Sequence, residues 1–154
     1  MLAPHGGGIE AGTSEIALAV AGYRADSPLE PVAANAPVYD YWMFEGLLTG
    51  DNHSTLHVTS SGCDDPIALS IAGGNLNALS IHGCTEKAAG VAETELAVVV
   101  GGLNQTFKRY LIEEIEEGCF TRALRPSNPS VNFTPFVTAV RTAITRIEAG
   151  QKQL

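Results

Sequence analysis

Met1-Leu2-Ala3-Pro4 runs directly into His5-Gly6-Gly7-Gly8-Ile9-Glu10, and Thr13-Ser14-Glu15-Ile16-Ala17-Leu18-Ala19-Val20-Ala21-Gly22 follows. The apolar stub reads as a strand and the glycine run as a turn. The third stretch reads as a helix, with Thr13 as hydroxyl cap, good helix formers behind it and Gly22 as the stop. Outward from this strand–turn–helix unit the same alternation continues. Residues 24–37, rich in Pro, Ala, Asp and Asn, read as a loop, and Val38 to Phe44, aromatic and β-branched, as a strand. Leu56 to Ser60 alternates like a strand, and Asp64-Asp65-Pro66 opens a helix to Ala72 that Gly73-Gly74 stops. Leu76 to Ile81 is a further strand ending at His82-Gly83, and Leu96 to Val100 a buried-type strand ending at Gly101-Gly102. Asn104 caps a helix over Gln105 to Glu117, with Phe107, Leu111, Ile112 and Ile115 on one face. Thr134-Pro135 begins a last helix, in which Phe136, Val140, Ile144 and Ile147 recur before Gly150. Strands alternating with helices predict an α/β fold: a mainly parallel or mixed sheet with helices on both faces, as one domain over residues 1–154.

The composition narrows the function classes. Of 154 residues, 45% are hydrophobic and 17% charged, which excludes an extended disordered chain. Nine basic against seventeen acidic residues give a net charge of -8, so the surface repels phosphate backbones and nucleic-acid binding is not expected. A polyanionic substrate needs a local basic pocket. The longest apolar runs, Ile16 to Ala21 and Leu96 to Val100, fall far short of the roughly 20 residues that span a bilayer. The first residues carry neither a basic region nor an apolar stretch of signal-peptide length, so a cytoplasmic chain is expected, with lysis as a route of release. Cys63, Cys84 and Cys119 match neither a disulfide framework nor a C-x-x-C pair, and read as buried free thiols.

In sheets of this kind ligands bind beyond the carboxyl ends of strands. His5 and His82 both stand at such ends. His5 and Glu10 are five apart across a triple glycine, a spacing that no helix explains. A glycine turn can fold the carboxylate back beside the imidazole. Two imidazoles and a carboxylate make a catalytic zinc set with an open position, where the ion lowers the pKa of a water toward ~7 and polarises a carbonyl. The same three residues also read as polar side chains at strand ends and in a loop. The other candidates are plainer. Gly6-Gly7-Gly8 lacks the order of a phosphate-binding loop. His57, inside an expected strand, reads as a core histidine, and His53 as a solvated loop residue. Thr59, Ser61 and Ser80 lack a nucleophile elbow, Cys84 reads as a small buried thiol, and Glu113, Glu114, Glu116 and Glu117 form a wet helix face.

Ala3-Pro4-His5-Gly6-Gly7-Gly8-Ile9-Glu10-Ala11-Gly12-Thr13-Ser14-Glu15-Ile16-Ala17 resembles the signature of the poly-γ-glutamate hydrolase family, phage-derived zinc peptidases related in fold to zinc carboxypeptidases. The resemblance continues in order through Phe44-Glu45-Gly46, Leu56-His57-Val58-Thr59-Ser60, Asp64-Asp65-Pro66, Leu79-Ser80-Ile81-His82-Gly83-Cys84 and Val100-Gly101-Gly102-Leu103. It implies a three-layer, zinc-carboxypeptidase-like fold and Zn2+ held by His5, Glu10 and His82. It implies hydrolysis of the γ-glutamyl amide bond of poly-γ-glutamate, a bacterial capsule polymer. Arg122 and Arg125 are the cations expected to grip the polymer's carboxylates. Two departures set further expectations. Members carry a strand and a helix ahead of the signature, so the chain reads as shortened at its amino terminus. Members also carry a late Gln-Leu-Glu strand with the general base, which the stretch from Ala123 to Phe136 lacks. The general base is therefore unidentified, with Glu45 and Glu86 as substitutes and Glu148 out of reach. Positioned acid–base help is worth 10²–10⁴-fold. The expectation is a slowed zinc amidohydrolase, and the alternative a non-catalytic zinc-binding or polymer-binding remnant.

Overall fold

A computed structural model describes residues 1–24, 26–93, 95, 97–120 and 129–152. Two units are each internally packed, Met1–Cys84 and Thr85–Leu154. The first contains β1 (Leu2–Gly7), α1 (Thr13–Ala21), β2 (Tyr23–Arg24), β3 (Ser27–Pro31), β4 (Trp42–Gly46), α2 (Asn52–Leu56) and α3 (Pro66–Gly74). The second contains α4 (Glu86–Ala89), α5 (Gln105–Ile115) and α6 (Pro129–Gln151). Among the described residues the fold is mixed α/β, with one parallel pair of strands, β1 and β4, and one antiparallel pair, β2 and β3. No described helix is long and apolar enough to cross a membrane.

The β1–β4 pair positions the site. Leu2 faces Trp42 and Ala3 faces Met43, whereas Gly6 faces Glu45, so β1 carries one more residue than β4 between these rungs. The extra residue falls at Pro4-His5. Proline has no N–H to give to a ladder, and a bulge there re-aims the side chain beside it. α1 covers the sheet through Ala17, which joins Ala3 and Ile81 in a buried cluster fringed by Ile16, Met43 and Leu79. Gly22, at φ 92°, ends α1 with its N–H on the carbonyls of Ala19 and Leu18. The helix begins after Gly12 instead of being capped by Thr13, whose hydroxyl is committed to the carbonyls of His5 and Glu10.

Gly6 is required where α1 crosses β1. A Cβ there would stand 2.0 Å from Ser14 Oγ and 3.0 Å from the Phe44 carbonyl oxygen. Ser14 Oγ is buried with no hydrogen-bond partner. Gly6→Ala is expected to cost about 1–3 kcal/mol, the usual range for overpacking, and Ser14→Ala in the same chain should recover part of it. Urea unfolding of the single and double variants measures both.

Several local expectations change. Residues 24–37 contain β3, because Tyr23 pairs with Pro31 and Arg24 with Ser27. The strand expected from Val38 begins at Trp42. Leu56 to Ser60 is no strand: Asp51 caps α2 by accepting the Ser54 N–H, and α2 runs up to Leu56. The strand expected over Leu76 to Ile81 contributes one parallel bridge, Ser80 to Leu2. Residues 97–100 are not strand either. Asp65 caps α3 as expected, accepting from Ile67 N and Ala68 N, but α3 runs through Gly74.

In the second unit Asn104 caps α5 as expected, and α5 packs against α6. Phe107, Leu111 and Ile115 are buried, as are Val140, Ala143, Ile144 and Ile147. α6 starts at Pro129 and contains Pro135 in its interior. A proline there lacks one N–H and crowds the preceding turn, which is why it reads as a helix start. Glu113 and Glu114 are no free wet face: Arg146 of α6 donates to Glu114 at 2.6 Å and to Glu113 at 2.7 Å, and lies over the Tyr110 ring.

Candidate metal centre

His5 and Glu10 meet because the main chain between them folds into a closed turn. The Glu10 N–H donates to the His5 carbonyl at 2.8 Å, and Gly7 takes φ 62°, a conformation glycine adopts without penalty. The Gly8 N–H donates to the Gly46 carbonyl at 2.9 Å, which fastens the turn to the end of β4. Asn52 backs the same corner, accepting the Leu48 N–H at 2.8 Å and donating to the Leu48 carbonyl at 2.9 Å. Its amide lies where a Cβ on Gly8 would fall, 2.6 Å away.

His5 is 1% exposed and Glu10 is 11% exposed. His5 Nδ1 lies 3.0 Å from Glu10 Oε2 and 3.0 Å from His82 Nδ1, and His82 Nδ1 lies 3.7 Å from Glu10 Oε2. Donors about 2.0–2.1 Å from a tetrahedral zinc stand roughly 3.3–3.4 Å apart, so the triangle has the right size. Its proton inventory points the same way. His5 Nε2 donates to the Val58 carbonyl at 2.7 Å. A carbonyl only accepts, so the neutral ring carries its hydrogen on Nε2 and turns the Nδ1 lone pair toward a carboxylate oxygen and another ring nitrogen. Three electron-rich atoms at such distances need a cation or a shared proton between them. Metal-bound histidines usually have the other ring N–H on a carbonyl or carboxylate in this manner. His82 is more open, with its side chain 38% exposed, and its Nε2 lies 2.6 Å from Ser60 Oγ and 3.1 Å from Ser80 Oγ. Burial holds the His82 pKa below its ordinary value, with His5 and His57 adding to the effect and Glu10 opposing it. A lowered pKa favours the neutral ring, the form that binds metals.

His57 also belongs to this cluster, contrary to the reading of it as a core histidine. Its ring stacks on His5 at 4.0 Å between centroids, and its Nε2 lies 3.7 Å from Glu10 Oε1. His5, Glu10 and His57 each offer a ligand atom within 4.8 Å of the others. The signal for it lay in the spacing of His53 and His57, four apart, which one helical turn brings together at 4.7 Å between ring centroids. Glu10 thus faces His5 and His82 through Oε2 and His57 through Oε1. Gly83 N–H donates to Oε2 at 2.7 Å and fixes the carboxylate.

The remaining sequence candidates fall elsewhere. Arg122 and Arg125 lie outside the described residues. Glu45 is exposed on β4 rather than in a loop, Glu86 opens α4 and Glu148 lies in α6. Cys84 is exposed and Cys63 partly buried, so neither is the fully buried thiol expected.

The strand-to-helix turn gathers three imidazoles around one carboxylate in an α/β unit, an arrangement that could hold a metal ion. The profile of the family described as poly-gamma-glutamate hydrolase matches residues 1–135. The chain belongs to that family. It is 33% identical to UPF0714 protein YndL of Bacillus subtilis (strain 168) over 124 residues, 80% of this chain and 40% of that protein. It is 35% identical to the SPbeta prophage-derived UPF0714 protein YoqZ of the same strain over 105 residues, 68% of this chain and 30% of that one. With UPF0714 protein YmaC the identity is 27% over 127 residues, 82% and 44% of the two chains. The chain spans less than half the length of these curated relatives. No solved structure matches it.

Proposed function

We propose that this chain carries the metal-binding part of a zinc-dependent hydrolase that cleaves γ-glutamyl amide bonds in poly-γ-glutamate, with His5, Glu10 and His82 as the metal ligands. The observation that carries the proposal is the 3.0, 3.0 and 3.7 Å triangle of Nδ1, Nδ1 and Oε2 atoms, whose ring nitrogens on the far side are both engaged. Family membership supports the polymer as substrate. In this reading the β1–β4 pair, with Ser80 bridged to Leu2, is the centre of a three-layer, zinc-carboxypeptidase-like sheet. A zinc ion supplies Lewis-acid polarisation of the amide carbonyl and a nucleophilic water at neutral pH. The chain's own part is to hold three donors in place before any ligand arrives. Val58 fixes the His5 proton on Nε2, the Gly83 N–H fixes Glu10, and His57 walls one side of the carboxylate. Arg122 and Arg125 remain the proposed anchors for the polymer's carboxylates.

Incubation with poly-γ-glutamate and zinc, followed by gel analysis of polymer length and elemental analysis of the protein, tests the reading. Short oligomers and about one zinc per chain are expected. Bound zinc with unchanged polymer would leave a binding domain without turnover, and a zinc-free chain would remove the metal assignment altogether.

A further inference from the structure

His5 and His82 are held by different means, and the difference assigns a role to two serines. His5 is enclosed in β1, where packing and the Val58 carbonyl leave its ring one orientation. His82 lies outside any helix or strand and its side chain is 38% exposed, so packing constrains its ring less than that of His5. What meets it is a pair of hydroxyls: Ser60 Oγ at 2.6 Å, Ser80 Oγ at 3.1 Å, and 3.1 Å between the two. Both come from anchored backbone. Ser80 is bridged to Leu2 of β1, with the flanking Leu2 N–H on the Leu79 carbonyl and the Ile81 N–H on the Leu2 carbonyl, each at 2.9 Å. Ser60 opens a 3₁₀ turn, Ser60–Gly62, closed by the Gly62 N–H on the Thr59 carbonyl at 2.8 Å.

The geometry points to Ser60 and Ser80 as positioning residues of the metal centre: they accept the Nε2–H of His82 and so keep its Nδ1 turned toward His5 and Glu10. The inference rests on the ligand set proposed above. A hydroxyl can accept from the ring when Nδ1 is ligated and donate to it when Nδ1 carries the proton, so the pair retains the ring in both states. His57 has no comparable hydroxyl pair among its described contacts, although it touches the same carboxylate. The serines therefore favour His82 over His57 as the third ligand.

The test is zinc titration of the metal-free full chain against a chromophoric chelator, paired with the visible absorption of the cobalt(II) form. Ser60→Ala/Ser80→Ala is expected to weaken zinc binding about 10–100-fold, the usual cost of losing outer partners of a ligand, and to change the cobalt spectrum. Ser60→Thr/Ser80→Ala returns one hydroxyl at an exposed position and should restore most of the affinity. Unchanged affinity in the double alanine variant, with wild type binding zinc, overturns the role of the serines and leaves the ligand set standing. Weakened binding that threonine does not restore also overturns it, since the loss is then structural. A wild-type chain that fails to bind zinc removes the ligand set and this inference together.

Discussion

Replacing His82 with alanine is expected to lower zinc affinity by more than about 100-fold, beyond what outer partners of a ligand usually cost, while the metal-free chain keeps its thermal stability. The stability half follows from position. His82 is exposed and belongs to no strand or helix, water can satisfy the two hydroxyls at its Nε2, and the His5 and Glu10 groups at its Nδ1 still have each other at 3.0 Å. His5→Ala removes zinc as well but differs in the second measurement. His5 is almost wholly buried, so its loss leaves a cavity in β1 and deprives the Val58 carbonyl of its donor. Removing a side chain of that size from a buried site costs about 2–5 kcal/mol, and the melting temperature of the metal-free chain should fall accordingly. His57→Ala separates the two ligand sets that share His5 and Glu10. Near wild-type zinc affinity supports His82 as third ligand. A loss of more than about 100-fold in His57→Ala, with His82→Ala still binding near wild type, transfers the role to His57.

Gly7→Ala is expected to destabilise the first unit more than any other single alanine in the turn. Its φ of 62° lies in the left-handed region, and a Cβ would meet the Gly46 carbonyl oxygen at 2.7 Å and the Gly46 nitrogen at 3.1 Å. Those atoms are backbone of β4 and cannot swing aside as the Ser14 hydroxyl can. Backbone strain and overpacking each cost about 1–3 kcal/mol, together roughly 2–6. Gly12→Ala is the control: its φ is 93° with open space around the added carbon, so it carries the strain without the clash. Chemical denaturation of both variants should show Gly7→Ala as clearly the worse. Equal losses would mean that β4 moves aside at little cost.

Much of this was legible in the chain itself, and the gaps have identifiable causes. The Asp65 cap of α3 and the Asn104 cap of α5 were readable because capping is local, an oxygen reaching an N–H two or three residues on, whereas α1 was readable from its helix formers and the Gly22 stop and not from its start. The meeting of His5, Glu10 and His82 was expected from strand ends, although β1 runs past His5 to Gly7 and Leu76 to Ile81 forms only one bridge. His57 was missed because Leu56-His57-Val58-Thr59-Ser60 alternates like a strand. The competing signal, Asp51 three residues before Ser54, is a helix cap that wins by satisfying an N–H at 3.0 Å. Pairing of Tyr23 with Pro31 joins residues whose loop composition argues against strand, and only tertiary context supplies it. Pro135 stands inside α6, which packs against α5, although propensity reads a proline as a helix start.

The turn between His5 and Glu10 has a consequence for how such a site can be inherited. The Thr13 hydroxyl donates to the His5 carbonyl at 3.1 Å and to the Glu10 carbonyl at 2.8 Å, and the Glu10 amide returns to His5. The interval is a locked ring with one circumference. Gaining or dropping a single codon there would swing the carboxylate away from both imidazoles, whereas exchanging Ile9 for another apolar residue of similar bulk would not. Lineages carrying this site should therefore tolerate drift in letter but not in count across these positions, and their length variation should collect elsewhere.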